Sequence, residues 1–375
     1  MSHPAADPTG FQRTFERVHK GFVTPTQIDG GKISGCVYRA DGSKVELSER
    51  SGGCRGDLFL SDNPGRLERP VSVGRSGRGL YLGSLMAGHY GHFITEGLST
   101  FWVFENISVG EFDYFLFNPF VFGTKIPSYA LKCFDAFGID RHKVVIMGDS
   151  PLAVDELVVP ERLLKLNHSA DPCLKWVYHE IRKFVSKSVA PVAPVERIYL
   201  SRRKISLKQL TRVIANEVLV EKLFRQAGFT VIYPEEVAFE DQVYLYANAK
   251  VVAGPSGSSL HNSLFMRTGA QLIELGDPRY GGERAPTQML CDLISGVEAT
   301  LIPFVGTIRG DGESVSFSIR ELRSQLLRVL KNVNISMAGM DESRLKTGPL
   351  ERLECTYLSV RPLVGPTLRK LGLRR

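Results

Sequence analysis

Between Gly88 and Glu96 a histidine and a carboxylate, His92 and Glu96, stand four residues apart, with His89 three residues earlier. A helix that begins near Gly91 puts His92 and Glu96 on one face, one turn apart, where imidazole and carboxylate can hold or pass a proton. Two further readings stay open: His92 bonded to backbone as a helix-start residue, and His89, His92 and Glu96 as zinc ligands, although no fourth ligand stands nearby. A second group, Arg202-Arg203-Lys204, offers fixed positive charge, and a third, Gly254-Pro-Ser-Gly-Ser-Ser, offers backbone amides free of large side chains. Together they suit a diphosphate, because arginine pairs two phosphate oxygens at once and amides at a helix start add partial positive charge. The plain alternative for the triplet is an exposed basic loop. Glu274 stands where a carboxylate could take the two hydroxyls of a ribose. Buried and paired with Arg279, it would look the same in sequence.

An alternation of strands and helices must position these groups. Arg197-Ile-Tyr-Leu-Ser reads as a buried strand feeding the basic loop, Leu207 to Ala227 as a helix stopped by Gly228, and Phe229-Thr-Val-Ile-Tyr as a second strand. Helical spacing from Glu235 to Ala249 leads to a third strand, Lys250-Val-Val-Ala; the Gly/Ser loop then opens another helix, and Gln271-Leu-Ile-Glu-Leu is a fourth strand. Such alternation predicts a parallel sheet, whose ligands lie at the carboxyl ends of the strands. Arg202, Arg203 and Lys204, the loop residues Ser256, Gly257, Ser258 and Ser259, and Glu274 all fall at those ends, so this half of the chain reads as nucleotide-binding. His261 and Asn262 start the helix after the loop, as ligand contacts or as caps. Asn216 and Glu217 have no role that the residues alone supply, and Glu217 with Glu221 reads as a solvated helix face.

Several of these runs also carry a resemblance. Tyr199-Leu-Ser-Arg-Arg-Lys, Asn216-Glu217, Gly228-Phe, Pro234 to Gln242, Ala247-Asn-Ala-Lys, Gly254 to Asn262, Phe265-Met and Gly269 to Leu275 resemble, in order and spacing, the carboxyl-terminal half of glycosyltransferase family 61. The match is dense over roughly a fifth of the chain and joins several motifs in register, which is more specific than one glycine pattern. The resemblance implies sugar transfer from a nucleotide donor with inversion, by two Rossmann-like domains facing a cleft. It places His92 and Glu96 in that cleft, with Glu where the family often has Asp. On this reading Glu96 is the base that takes the acceptor proton, and His92 orients it or touches the donor. Asn262 matches a family position that reaches the nucleotide. Where the family usually reads Gly-Pro-His-Gly-Ala-Gly, Ser256 replaces a histidine that contacts the donor phosphates, and His261 is a candidate to supply what Ser256 lacks.

The chain's 375 residues suit two domains, and its 43% hydrophobic and 23% charged content suits a globular protein with a sizeable core. A net charge of +7 fits an anionic ligand. Without an aromatic-plus-basic motif or a regular basic helix, no nucleic-acid partner is expected. Six cysteines without a close pair argue against a zinc knuckle or a disulfide scaffold and fit a reducing compartment. Neither a signal-peptide core nor an apolar span of membrane length is present, so the expected location is cytoplasmic, at most peripheral at the inner face of the membrane.

Residues 1–75 hold short alternating pieces and are expected as a small β-rich N-terminal region. From Gly79 strands and helices alternate again, giving a Rossmann-like acceptor domain over 76–190. Val189-Ala-Pro-Val-Ala-Pro-Val reads as a stiff linker, followed by the nucleotide-sugar-binding domain over 191–310. Residues 311–375 supply a helix, Ser318 to Asn332, and a tail with Arg361, Arg369, Lys370, Arg374 and Arg375 and no acid. That tail is either a solvated end or a peripheral contact to an anionic membrane.

The expected fold class is therefore α/β of the GT-B type. No Asp-x-Asp pair, the usual metal holder, occurs. Metal independence is expected, with no cofactor beyond the donor and with the basic triplet and loop amides stabilising the departing diphosphate. The expected function is an inverting glycosyltransferase moving a sugar from a nucleoside diphosphate sugar, a UDP-sugar first, to a glycan or glycoconjugate in polysaccharide biosynthesis. A non-catalytic nucleotide- or glycan-binding relative is the alternative. A dinucleotide oxidoreductase is disfavoured by the absence of Gly-x-Gly-x-x-Gly after a strand.

Overall fold

A computed structural model describes residues 11–29, 32–50, 60–85, 89–119, 126–188, 194–206, 212–309, 314–332 and 345–370. Residues 189–193 of the expected linker, Cys54 and residues 371–375 of the tail lie outside these. The protein is mixed α/β with several sheets, in two compact units, Met1–Val189 and Ala190–Arg375.

Seven strands of the first unit form one sheet: β1 (Phe15–His19), β2 (Phe22–Val23), β3 (Val37–Tyr38), β4 (Val73–Leu85), β5 (Tyr114–Pro119), β6 (Val144–Ile146) and β7 (Leu152–Pro160). Their order is β3-β2-β7-β4-β5-β6, with β1 also on β7. β7, β4, β5 and β6 are parallel, whereas β1 and β2 meet β7, and β3 meets β2, antiparallel. The strands of the N-terminal region thus edge the same sheet as the parallel core. Val18, Val23 and Val37 share one buried cluster with Tyr81, Leu116 and Leu157. The chain then makes a single helical turn, α1 (Tyr90–His92), and later α2 (Ser128–Ala136) and α3 (Lys175–Ser188). Phe134 of α2 meets Phe93, Phe101 and Phe117 with ring centroids 5.3 to 6.4 Å apart. This aromatic layer fixes the segment around His92 to the sheet.

In the second unit the strands are β8 (Arg197–Leu200), β9 (Val213–Ile214), β10 (Thr230–Ile232), β11 (Val251–Pro255), β12 (Gln271–Leu275), β13 (Glu298–Ile302), β14 (Gly306–Arg309) and β15 (Ser314–Phe317). β10, β8, β11, β12 and β13, in that spatial order, make an all-parallel sheet, and β9, β15 and β14 make a mixed one, β9 parallel and β14 antiparallel to β15. From β8 the chain moves one way to β10, then returns to β11 and continues the other way. The order therefore reverses between β8 and β11, the crevice where doubly wound sheets hold ligands.

Two expected helices are corrected. Leu207 to Ala227 is not one helix: Val213 and Ile214 pair with Ser314 and Val315 as strand, and α4 (Glu217–Gln226) begins only after them. β-branched side chains favour the extended chain, a preference that apolar spacing alone conceals. The segment after the Gly/Ser loop is a six-residue 3-10 helix, Leu260–Phe265. Four more helices follow: α5 (Phe239–Asn248), α6 (Pro286–Ser295), α7 (Ile319–Asn332) and α8 (Pro349–Lys370). Leu322, Leu326 and Leu330 of α7 enter the core with Tyr199 and Ile273. Part of the expected tail is therefore helical. Among the described residues no helix is long and apolar enough to cross a membrane.

Candidate functional site

In the first unit the chemistry gathers beyond the carboxyl end of β4. His89 caps α1, its imidazole accepting from the His92 N–H at 3.5 Å. The backbone then widens into a π-turn over Phe93–Gly97, in which Leu98 N–H reaches Phe93 O at 3.1 Å. Such turns are frequent at functional positions. Three hydroxyls hold this one: Tyr178 donates to Ile94 O at 2.6 Å, Thr95 to Gly91 O at 2.7 Å and Ser99 to Glu96 O at 2.6 Å.

The turn brings His92 Nδ1 to 2.7 Å from Glu96 Oε2, and Arg50 Nε donates to Glu96 Oε1 at 3.1 Å. Glu96 is 5% exposed. Burial pushes its carboxyl up, but the His92 hydrogen bond and the charges of Arg50 and buried Arg162 outweigh burial and hold it down at about 2. Arg162 passes beneath Gly83, where an added Cβ would stand 3.1 Å from its Nη2. His92 keeps 29% of its side chain exposed. With Nδ1 turned to the carboxylate, Nε2 is the nitrogen left for other partners. Sequence reading missed Arg50 and Arg162, which only the fold brings beside Glu96. Among the described residues no three of His, Cys, Asp and Glu come together as a metal-ligand set.

In the second unit Arg202 follows β8, Ser256 follows β11 and Asp277 follows β12, and together with Arg212 and Phe317 they wall a pocket at the reversal of strand order. Arg202 N–H donates to Glu217 Oε1 at 2.6 Å, while its buried Nε finds no hydrogen-bond partner among the described residues. Burial pushes the Arg202 guanidinium down; Glu217 offsets this, and Arg212 and Arg279 add repulsion. Gly257, at φ 156°, lets the loop approach: an added Cβ would lie 3.4 Å from Arg202 Nη1. Arg212 is held at φ 58°, a left-handed conformation uncommon for a residue with a side chain. Among the described residues no carboxylate forms a salt bridge with Arg202 or Arg212, whereas Arg279 is paired with Asp277.

The remaining expected residues sit elsewhere. Arg203 forks onto Glu354 with two bonds of 2.6 Å, and Lys204 pairs with Glu236, so neither charge is directed to the pocket. Glu274 is 0% exposed: Ser256 Oγ donates to it at 2.6 Å and Arg284, rather than Arg279, pairs with it at 2.8 Å. A ribose has no access to such a carboxylate, which instead fixes Ser256. Asn262 is buried, donating to Gln242 at 3.0 Å, and His261 Nδ1 meets Gln288 Oε1 at 2.9 Å. Ser258 and Ser259 are half-buried in the loop, the Ser259 carbonyl accepting from Tyr246 at 2.7 Å. Glu217 and Glu221, expected on a solvated face, are both 0% exposed. Arg212 was hidden by the helix assigned across it; a basic residue immediately before a β-branched pair was the available signal.

No curated protein matches the sequence. A family model described as Glycosyltransferase 61 matches residues 90–273, a span that holds His92, Glu96, Arg202, Arg212 and Ser256. The chain belongs to glycosyltransferase family 61 and is a glycosyltransferase.

Proposed function

We propose that the protein is an inverting, metal-independent glycosyltransferase of the GT-B type, taking its sugar from a nucleoside diphosphate donor, a UDP-sugar first, and delivering it to a glycan or glycoconjugate in polysaccharide biosynthesis in the cytoplasm. One observation carries the reading: Arg202 and Arg212 converge on the strand-order reversal of a parallel sheet, and among the described residues neither forms a salt bridge with a carboxylate. Two such charges repel each other until an anion joins them, and a diphosphate is an anion that the arginine fork fits.

Transfer requires an acceptor hydroxyl to lose its proton as its oxygen attacks the anomeric carbon, while the bond to the diphosphate breaks and its electron pair leaves with the phosphate. Arg202 and Arg212 stabilise that departing charge. For the proton, the geometry favours His92 over Glu96. A carboxyl held at about 2 has little affinity for a proton, whereas an imidazole whose Nδ1–H is fixed by Glu96 presents Nε2 as acceptor. Glu96 is then the positioning residue and the stabiliser of the imidazolium.

The test is a thermal-shift and turnover series with UDP, GDP, CMP and ADP and their sugars, with and without EDTA. A nucleotide that binds the folded state raises the melting temperature. The reading expects a UDP shift that survives EDTA and is lost in Arg202→Ala/Arg212→Ala. No shift with any nucleoside diphosphate overturns the donor site. Binding without hydrolysis or transfer identifies a non-catalytic relative.

A further inference from the structure

Over residues 349–359, whose side chains are described, the last helix, α8, packs on the second unit by one side. Lys222 reaches Glu351 at 2.6 Å, Arg203 forks onto Glu354, and Leu358 is buried with Val213 and Ala215. One residue before each of these, about 100° round the helix, stand Leu350, Leu353 and Tyr357, which are 81%, 67% and 45% exposed. Large apolar side chains in such a row mark an interaction surface more often than a solvated one.

Charge indicates what meets it. From Cys355 to Arg375 the sequence has no acid and carries Arg361, Arg369, Lys370, Arg374 and Arg375. Over the same stretch Val360, Val364 and Leu368 continue the three- and four-residue apolar spacing of Leu350, Leu353 and Tyr357. An apolar groove on another protein calls for the spacing alone. An anionic bilayer calls for the spacing and the uncompensated cations together.

We propose that α8 is an interfacial helix whose row Leu350, Leu353 and Tyr357 enters the surface of an anionic lipid bilayer, to which the acid-free basic sequence from Cys355 onward adds electrostatic attraction. The packed side of α8 backs β9, the strand directly after Arg212, so docking carries the pocket-bearing unit to the membrane. The proposal is independent of the transferase reading, because vesicle binding is measured without any donor.

The test is co-sedimentation of the full chain with vesicles of phosphatidylcholine alone and with about one third phosphatidylserine. Binding is expected to the anionic vesicles only, and to weaken about tenfold between roughly 0.1 and 0.5 M salt. Leu350→Ser/Leu353→Ser, at exposed positions, is expected to melt with the parent and to bind about tenfold more weakly. Arg361→Gln/Arg369→Gln/Lys370→Gln is expected to bind more weakly as well. Equal binding to neutral vesicles, no binding to either, or binding indifferent to the leucine pair overturns the proposal. So does vesicle-free self-association that the leucine pair abolishes, which would assign the row to a second copy of the chain.

Discussion

Two glutamates, one in each unit, are almost sealed from solvent: Glu96 is 5% exposed and Glu217 0%. They titrate in opposite directions. Glu96 is held at about 2 and Glu217 is pushed up to about 8. Burial raises both, so partners decide the sign. Glu96 meets the His92 imidazole and two arginines. Glu217 accepts the backbone N–H of Arg202 at 2.6 Å and the Tyr199 hydroxyl at 3.4 Å, has no hydrogen-bond partner on Oε2 among the described residues, and feels the charges of Arg202 and Glu221 in opposite directions. One carboxyl is held as an anion that fixes an imidazole. The other is pushed up by burial and by Glu221 against the pull of Arg202, and it holds the Arg202 backbone through its N–H.

The largest effect is expected where the imidazole is lost. His92→Gln should lower kcat by about 10²–10⁴ with little change in KM, the range for a general base. A variant within threefold of the parent in donor turnover would assign the proton elsewhere. Next comes the anion itself. Glu96→Gln takes a buried carboxylate away from His92, Arg50 and Arg162 and should cost about 3–5 kcal/mol of stability. In the parent, the folded carboxyl lies below its unfolded value near 4.5, so its contribution is complete above about pH 5 and fades as pH falls toward 2. Chemical unfolding at stepped pH should show that acid-side slope, and Glu96→Gln should flatten it.

Arg212→Ala should weaken UDP binding by about 10- to 100-fold, because a charge-assisted fork to phosphate is worth about 1.5–3 kcal/mol. Arg203→Ala should leave binding within about threefold, since its fork is already spent on Glu354. Equal losses from the two, measured by calorimetry, would remove the distinction drawn between a pocket arginine and a structural one.

The parts of this comparison legible in sequence were those set by short periods. The four-residue spacing of His92 and Glu96 became a 2.7 Å contact, and the strands around Tyr199, Val252 and Ile273 followed from apolar runs that a parallel sheet buries on both faces. What sequence concealed depended on contacts distant along the chain. Arg50 comes to Glu96 from 46 residues away, and Arg203 is drawn to Glu354 from 151 residues away, so a triplet that looked like one phosphate clamp separates into one pocket residue and two surface pairs. Glu217 and Glu221 lie four apart in a helix, and no local pattern shows that both face the interior. Ser256 and Glu274 were found at the right strand ends, but their mutual bond requires the register of β11 on β12.

Glu217→Gln tests the second half of the comparison and carries the smallest expected effect. Glutamine keeps an oxygen for the Arg202 N–H and cannot ionise. A folded pKa of about 8, above the unfolded value of 4.5, means that the parent loses stability as pH rises from about 4.5 toward 8, where the unfolded state releases a proton that the folded state retains. Glu217→Gln removes that loss. It should match the parent near pH 5 and exceed it by about 2 kcal/mol near pH 8, a figure discounted for relaxation around a buried acid coupled to Glu221. UDP affinity at pH 7 should be unchanged, because the neutral amide mimics the protonated carboxyl. Glu217→Ala, which releases the Arg202 backbone, should weaken UDP binding at every pH. Should Glu217→Gln instead destabilise the protein at pH 8 and weaken UDP binding, the carboxyl is ionised and pairs with Arg202, and the opposition between the two glutamates disappears.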